Sequence, residues 1–335
     1  HQSNIQNIAF QLCNLFGGDI IETNNSVEKN FLNIDSFGYQ WGWKRSGDVK
    51  NWSKLVIKQA NNKQIFCSQL SGNNLWKNSE AGTTINQLSD KDDKQKESTF
   101  HISIFSDHEN TWHPPTLWIG LGCERKTTKE LIEDSLQNFL VSNNLSPLSI
   151  AGFASVDLKK DEQAILKISK ENKWPIKFFT SEELSTINVP NPSNIVLNEI
   201  GTPSVAEAAC IMAAGEGAKL LKEKKIFKSF DSSKSTSGAV TIAVAESKNQ
   251  YSPSTGEIHV IGSGPGDISY LTNDARKALS KCSIWIGYKM YLDLIKPLKR
   301  KDQVLIESNL TEERERCEKA IKLAEEGIKV ALISS

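Results

Sequence analysis

The residues with the most chemical content are Gly262-Ser263-Gly264-Pro265-Gly266-Asp267, directly after the apolar run Ile258-His259-Val260-Ile261. A strand running into a glycine–proline turn and then a helix exposes bare backbone N–H groups at the end of a sheet. Such a place takes an anionic or polar ligand. The pattern is not the dinucleotide fingerprint, because the third glycine of G-x-G-x-x-G would fall on Asp267. Asp267 has two readings, a cap for the turn that follows or a contact to substrate. The whole block also has a ligand-free reading as a tight strand-to-helix connection.

The elements that must hold this turn alternate regularly. Strands are predicted at 258–261, 283–286, 303–306 and 328–333, with helices at 273–282, 288–296 and 311–326 between them. In the last helix Cys317, Ala320, Ile321 and Ala324 are spaced as a buried stripe, with Thr311 opening it and Gly327 closing it. Upstream, residues 116–246 read as a second α/β unit. Leu117-Trp118-Ile119 is a strand ending in Gly120-Leu121-Gly122-Cys123, and Thr127 with Glu130 spells a capping box for the helix carrying Leu131, Ile132, Leu136, Phe139 and Leu140. Strands are expected at 149–156, 176–179, 194–197 and 240–245, a helix of small residues from Ser204 to Leu221, and a polar loop at 231–237. Residues 30–110 form a smaller α/β or α+β unit with Trp41, Trp43, Trp52 and Trp76, a strand from Gln64 to Cys67, and a charged, solvated loop from Ser89 to Ser98. A helix over 3–16, ended by Gly17-Gly18, and a short strand at Ile20-Ile21 open the chain. The fold class is α/β, multidomain, with mainly parallel sheets flanked by helices. Its divisions are 1–28, 29–115, 116–246, a linker at 247–256 and 257–335.

Composition narrows the partners. The 335 residues suit two or three domains, and 40 basic residues balance 40 acidic ones. That balance argues against nucleic acid. No apolar run approaches the ~18 residues of a membrane span, and the polar start carries no signal peptide. The cysteines at 13, 67, 123, 210, 282 and 317 are scattered without a C-x-x-C or His/Cys cluster, which speaks against a metal site and for reduced core cysteines in a cytoplasmic protein. The chain starts at His1 without methionine and stops just after the strand Val330-Ala331-Leu332-Ile333, where a ligand loop is expected. We therefore expect a piece of a longer polypeptide.

The glycine turn, Leu271-Thr272-Asn273-Asp274-Ala275 and Gly287-Tyr288-Lys289-Met290-Tyr291-Leu292 resemble the opening of a tetrapyrrole methylase, more narrowly precorrin-3B C(17)-methyltransferase. The resemblance covers residues 257–335, so this part would be an incomplete methylase domain. It implies S-adenosylmethionine as cofactor, held by Gly262, Gly264, Pro265 and Gly266, a corrin or precorrin tetrapyrrole as substrate with Asp267 a candidate contact, and a homodimer formed through the complete methylase domain.

Residues 116–246 resemble the C-terminal domain of cobalt-precorrin-5A hydrolase. The residues that carry this are Gly120 to Arg125, Ala154 to Lys159, Phe178-Phe179 with Glu182-Glu183-Leu184, Pro190 to Ser193 and Gly201 to Ala209. Phe37-Gly38 and Trp41-Gly42-Trp43-Lys44 fit the family's middle part, and residues 1–28 would be the remnant of its first domain. Opening a lactone needs a general base and oxyanion stabilisation. The candidates are His1, Cys123, Asp157 and Glu207. Asp157 also reads as a turn cap, Glu207 as a surface charge and Cys123 as a small core residue. Trp41, Trp43 and Trp52 serve either as core or as a stacking face for a corrinoid ring. Ser3-Asn4 stand where the family has two glycines, which keeps open a non-catalytic corrinoid-binding module. An unrelated phosphate- or nucleotide-binding α/β protein is the other alternative.

Overall fold

The computed structural model describes residues 31–88, 98–193, 201–202, 204–229, 238–264 and 266–334. His1, Cys13, Pro265, the opening helix and strand, the strand expected at 194–197 and the loop at 231–237 lie outside the described residues, as does most of the charged loop at 89–98.

Strand alternation builds a sheet whose two faces are chemically different. The strands β6 (Leu117–Cys123), β7 (Ile150–Val156), β8 (Ile176–Phe179), β9 (Lys219–Lys228) and β10 (Ala239–Glu246) are ordered β8-β7-β6-β10-β9. The first three run parallel, and β10 is antiparallel to both its neighbours. Along β6, Leu117, Ile119 and Leu121 point to one face, where they meet Leu131, Ile132, Leu136, Phe139 and Leu140 of α2 (Lys129–Ser142) and Ile165 and Ile168 of α3 (Gln163–Asn172). The other face is small: Ala151, Ala154, Ala243 and Ala245 meet Ala206, Ala208, Ala209 and Ala213 of α5 (Val205–Ala214). A short α4 (Ser181–Ser185), capped by a Thr180–Glu183 box, packs beside them. A Cβ on Gly120 would lie 1.8 Å from the Ala206 carbonyl oxygen, so glycine lets α5 rest on the backbone of β6.

Two local readings are corrected. The small-residue helix does not reach Leu221: it ends at Gly215, φ +77°, and the chain returns as β9. The box at Thr127 and Glu130 is not made. The N-cap is Thr128, while the Thr127 hydroxyl donates to the carbonyl of Glu124 at 2.9 Å.

The third sheet is fully parallel, with order β11-β14-β12-β13 from β11 (Glu257–Gly262), β12 (Ile284–Tyr288), β13 (Val304–Ser308) and β14 (Lys329–Ser334). One face carries Ile261, Trp285, Ala331 and Ile333 against α6 (Asn273–Lys281) and α7 (Lys289–Ile295). The opposite face, with Ile284, Ile286, Val304 and Val330, is covered by Ala320 and Leu323 of α8 (Glu313–Glu325) and is continuous with the core of the first sheet. In α8 the buried stripe is Ala320 and Leu323. Cys317 is exposed and Ile321 is 51 % exposed, because the helix meets the sheet half a face away from the expected stripe.

The first sheet, order β1-β5-β4-β2-β3, comprises β1 (Lys44–Arg45), β2 (Phe66–Gln69), β3 (Asn86–Gln87), β4 (Thr99–Ile102) and β5 (Thr111–His113), with α1 (Val49–Ala60) beside it. Trp41, Trp43, Trp52, Trp76 and Trp112 all lie in its core, at most 2 % exposed. They offer no stacking face to a ligand. Buried at the end of β5, His113 holds two hydrogen bonds: Nδ1 donates to the Ser103 carbonyl at 2.8 Å, which leaves Nε2 to accept from the Ser46 hydroxyl at 2.8 Å. Burial lowers its pKa to about 4, against the ordinary 6.5.

Two outcomes follow from this packing. Gly120→Ala is expected to destabilise the fold by about 3 kcal/mol or more in urea unfolding. Gly122→Ala, whose new methyl meets nothing nearer than 3.7 Å, should remain within about 1 kcal/mol of the parent. For His113, the unfolded chain takes up the proton below pH 6.5 and the folded chain only near pH 4. Stability is therefore full above pH 6.5 and falls as pH drops toward 4, by up to roughly 3 kcal/mol. In His113→Gln that part of the acid slope should vanish; an unchanged slope would assign the acid sensitivity to other groups.

Candidate functional site

Two clefts lie at carboxyl edges of parallel strands, the side of an open α/β sheet where ligands bind. The first, of ≈ 300 Å³, is lined by Gly122, Cys123 and Glu124 from the end of β6, Ser204 and Val205 at the start of α5, and Lys224, Ile226 and Lys228 of β9. Close packing of α5 on Gly120 brings its N-terminus to this edge. Ser204 occupies the N-cap position yet makes no capping bond, and its hydroxyl, 1 % exposed as a residue, has no partner. The hydroxyl of Thr202, also fully buried, is equally unpartnered. One turn into α5, the fully buried Glu207 accepts from the backbone N–H of Lys224 at 3.1 Å and from Asn191 at 3.0 Å through Oε1, while Oε2 has no partner.

Of the sequence candidates, Cys123 lines this cleft, and Glu207 lies behind it, joined to the lining residue Lys224 through its backbone N–H. Glu207 is a buried carboxylate with a free oxygen rather than a surface charge. Burial pushes the Cys123 thiol up to about 11, which leaves the thiol protonated at neutral pH. Asp157 sits at the end of β7, along the same sheet edge, where it opens a half-exposed turn. Arg125 ties the two strand ends together: its guanidinium donates to the Leu158 carbonyl at 2.6 Å and to Asp161 at 2.5 Å. Sequence reading quoted Thr202 and Ser204 within the Gly201 to Ala209 motif without giving either a role, and it missed Lys224; Ser204-x-x-Glu207 also spells a capping box and makes none.

The second cleft, ≈ 600 Å³, is walled by Tyr288, Met290, Leu294, Glu307, Ser308 and Glu312 beyond β12 and β13. The glycine turn follows β11 in the same sheet, and Gly266 approaches Leu294. Gly264 and Gly266 have φ +67° and +113°. Space is open above Gly262 and Gly264, and the hydroxyl of Ser263, 3 % exposed, has no partner. An open backbone cradle with an orphaned donor fits a polar cofactor. Asp267 caps the short turn that follows, accepting the Ser269 N–H at 2.7 Å, which holds its carboxyl below the usual carboxylate range. Among the described residues no group of three or more His, Cys, Asp or Glu side chains converges as a metal site, and no helix is long and apolar enough to cross a membrane.

Comparison with known proteins finds two kinds of relative. Residues 117–245 match the family model described as Cobalamin synthesis G C-terminus. The chain is 26 % identical over 240 residues to a cobalt-precorrin-5A hydrolase of Priestia megaterium, covering 68 % of this chain and 61 % of that one. It is 44 % identical over 80 residues to a cobalt-factor III methyltransferase of the same organism, 24 % of this chain and 15 % of that one. This chain thus spans less than two thirds of either relative. Protein CobE of a Sinorhizobium species is 33 % identical over 110 residues, which is 32 % of this chain and 71 % of that one. With hydrolase similarity across most of its length and methyltransferase similarity in addition, the chain belongs to the cobalamin synthesis G C-terminus family.

Proposed function

We propose that the chain serves cobalamin biosynthesis in two steps. Residues 257–335 would contribute to S-adenosylmethionine-dependent methylation of a precorrin-3B-type tetrapyrrole at ring carbon-17, with ring contraction. Residues 1–246 would contribute a cobalt-precorrin-5A lactone hydrolase-like step on a related intermediate. The observation that carries the first step is the turn after β11, where two positive-φ glycines, open space and the orphaned Ser263 hydroxyl coincide.

When bound, S-adenosylmethionine supplies an electrophilic methyl group. The residues of this chain bind and align. Gly262, Gly264 and Gly266 would let the backbone come close to the cofactor, Ser263 would donate to it, and the cleft beside Tyr288 and Glu312 would take the acceptor ring. Asp267 is committed to its cap and could meet substrate only through Oδ2. Alignment of this kind supplies ~7–11 kcal/mol without a strong base. Only 80 residues match the methyltransferase relative, so methylation is assigned to a polypeptide carrying the rest of that domain, working in the cytoplasm as a dimer of complete methylase domains.

For lactone opening, Glu207 is the favoured general base. Its Oε2 is free to take a proton from water as the water adds to the lactone carbonyl, giving an acid and an alcohol before loss of a two-carbon fragment. Asp157 and His1 are the alternative bases, and Cys123 acts as wall rather than nucleophile.

Calorimetry with S-adenosylmethionine tests the first step. A version extended past Ser335 through the remaining methylase domain should bind, and this chain alone should bind at least tenfold more weakly. Gly264→Val in the extended version forces a β-branched residue to positive φ and should cost at least a further tenfold. Binding by neither version overturns the cofactor assignment; binding of inorganic phosphate in its place would favour a phosphate-binding protein.

A further inference from the structure

The lining of the cleft at the start of α5 mixes two chemistries. Ser204, Lys224 and Lys228 supply O–H and N–H donors, while Val205, Ala206, Ile226 and Ala239 supply apolar surface. Three observations point to an anion. The Ser204 hydroxyl is buried, its residue lines the cleft, and it has no partner among the described residues. The first-turn N–H groups of the ten-residue α5 have no intrahelical acceptor, and the helix dipole puts partial positive charge at that end. The ammonium of Lys224, half-buried, is held by one bond to the Asn191 carbonyl at 2.5 Å, and an ammonium carries three N–H bonds.

The acids nearby limit how much negative charge the cleft takes. Glu124 lines it, and the fully buried Glu207 behind it accepts the backbone N–H of Lys224 at 3.1 Å. Two lysines and a helix end against two carboxylates leave an excess that one negative charge satisfies and a dianion exceeds. The apolar lining, with Ile226 large and exposed, asks for hydrocarbon beside that charge. We propose that this cleft is a subsite for one carboxylate group on a short alkyl arm. Ser204, the start of α5 and the two lysines take the carboxylate, and the arm lies along Ile226. The proposal goes beyond the lactone-opening reading, since it assigns a binding subsite and requires no hydrolysis.

Butyrate and butyramide are nearly equal in shape and differ in charge. Each is titrated at neutral pH into the 335-residue chain while the amide ¹⁵N–¹H signals of Ser204, Val205 and Lys224 are followed. Butyrate should give saturable shifts at these signals and bind roughly tenfold more tightly than butyramide or inorganic phosphate. Ser204→Ala removes a hydroxyl that bonds nothing among the described residues, so it should fold, and it should bind butyrate roughly tenfold more weakly. Lys228→Gln, at an exposed position, should bind it about threefold more weakly. Ile226→Ser, also exposed, should keep acetate binding and lose the advantage of butyrate over acetate. The proposal is overturned by absence of saturable shifts, by equal binding of butyrate and butyramide, or by butyrate affinity unchanged in both Ser204→Ala and Lys228→Gln. Retention of the butyrate advantage in Ile226→Ser overturns it too, and tighter binding of phosphate overturns it in favour of a phosphate site. A protein that binds butyrate yet opens no lactone would sink the hydrolytic reading alone, so the two failures are distinguishable.

Discussion

One buried side-chain amide joins the three sheets. Gln250 is 2 % exposed and lies on the segment between β10 and β11. Its NH₂ donates to the carbonyls of Trp41 at 2.5 Å and Glu326 at 2.7 Å, and its oxygen accepts from the Trp43 indole N–H at 2.6 Å and from the Asn73 backbone at 3.4 Å. The amide is fully used, which makes burying it tolerable. Around it Tyr251 donates its backbone N–H to Pro115 and Ser252 donates to Glu325. The stretch that reads as a linker is thereby tied into the structure on both sides. The first sheet and the methylase-like sheet share one apolar core on either side of it, so neither can shift without breaking bonds to the same glutamine.

What was legible in the sequence follows from periodicity. Strands such as Leu117–Cys123 and Lys329–Ser334 are bounded by turns and buried on both faces, so their apolar runs could be read directly. The strand Lys219–Lys228 could not. Six of its ten residues are Lys or Glu, it lies at a sheet edge, and only Gly215 in a positive-φ conformation marks the end of the helix before it. Edge strands are expected to carry charge, which removes the alternation that identifies a strand. That omission hid one wall of the α5 cleft, since Lys224, Ile226 and Lys228 come from this strand.

Capping signals failed for a different reason. Thr180 and Glu183 make both bonds of a capping box, whereas Thr127 with Glu130 and Ser204 with Glu207 spell the same pattern and make neither. A box needs both side chains free to turn back on the helix end. Thr127 is drawn to the Glu124 and Ala239 carbonyls, and Glu207 to the N–H of Lys224. Tertiary partners thus outcompete a local motif worth about 1 kcal/mol, and no reading of four residues can anticipate that.

The unsatisfied groups then acquire a pattern. Among the described residues nine buried side-chain polar atoms lack partners, and four of them, on Thr202, Ser204, Glu207 and Ser263, fall in the two segments that open α5 and follow β11; of these four, Ser204 lines a cleft. Packing explains why the fold supports the cost there. The alanine and glycine face of β6, β7 and β10 holds α5 so closely that its N-terminus is fixed by apolar contact, not by its own cap. A helix anchored along its length can leave its first turn chemically open. In the third sheet the turn after β11 is likewise held from outside, by the Ser263 N–H bond to Ser334 and the Asp267 cap beyond it, so its glycines and the Ser263 hydroxyl remain uncommitted. Rigid packing next to unused polar groups is the arrangement that preorganises a binding site.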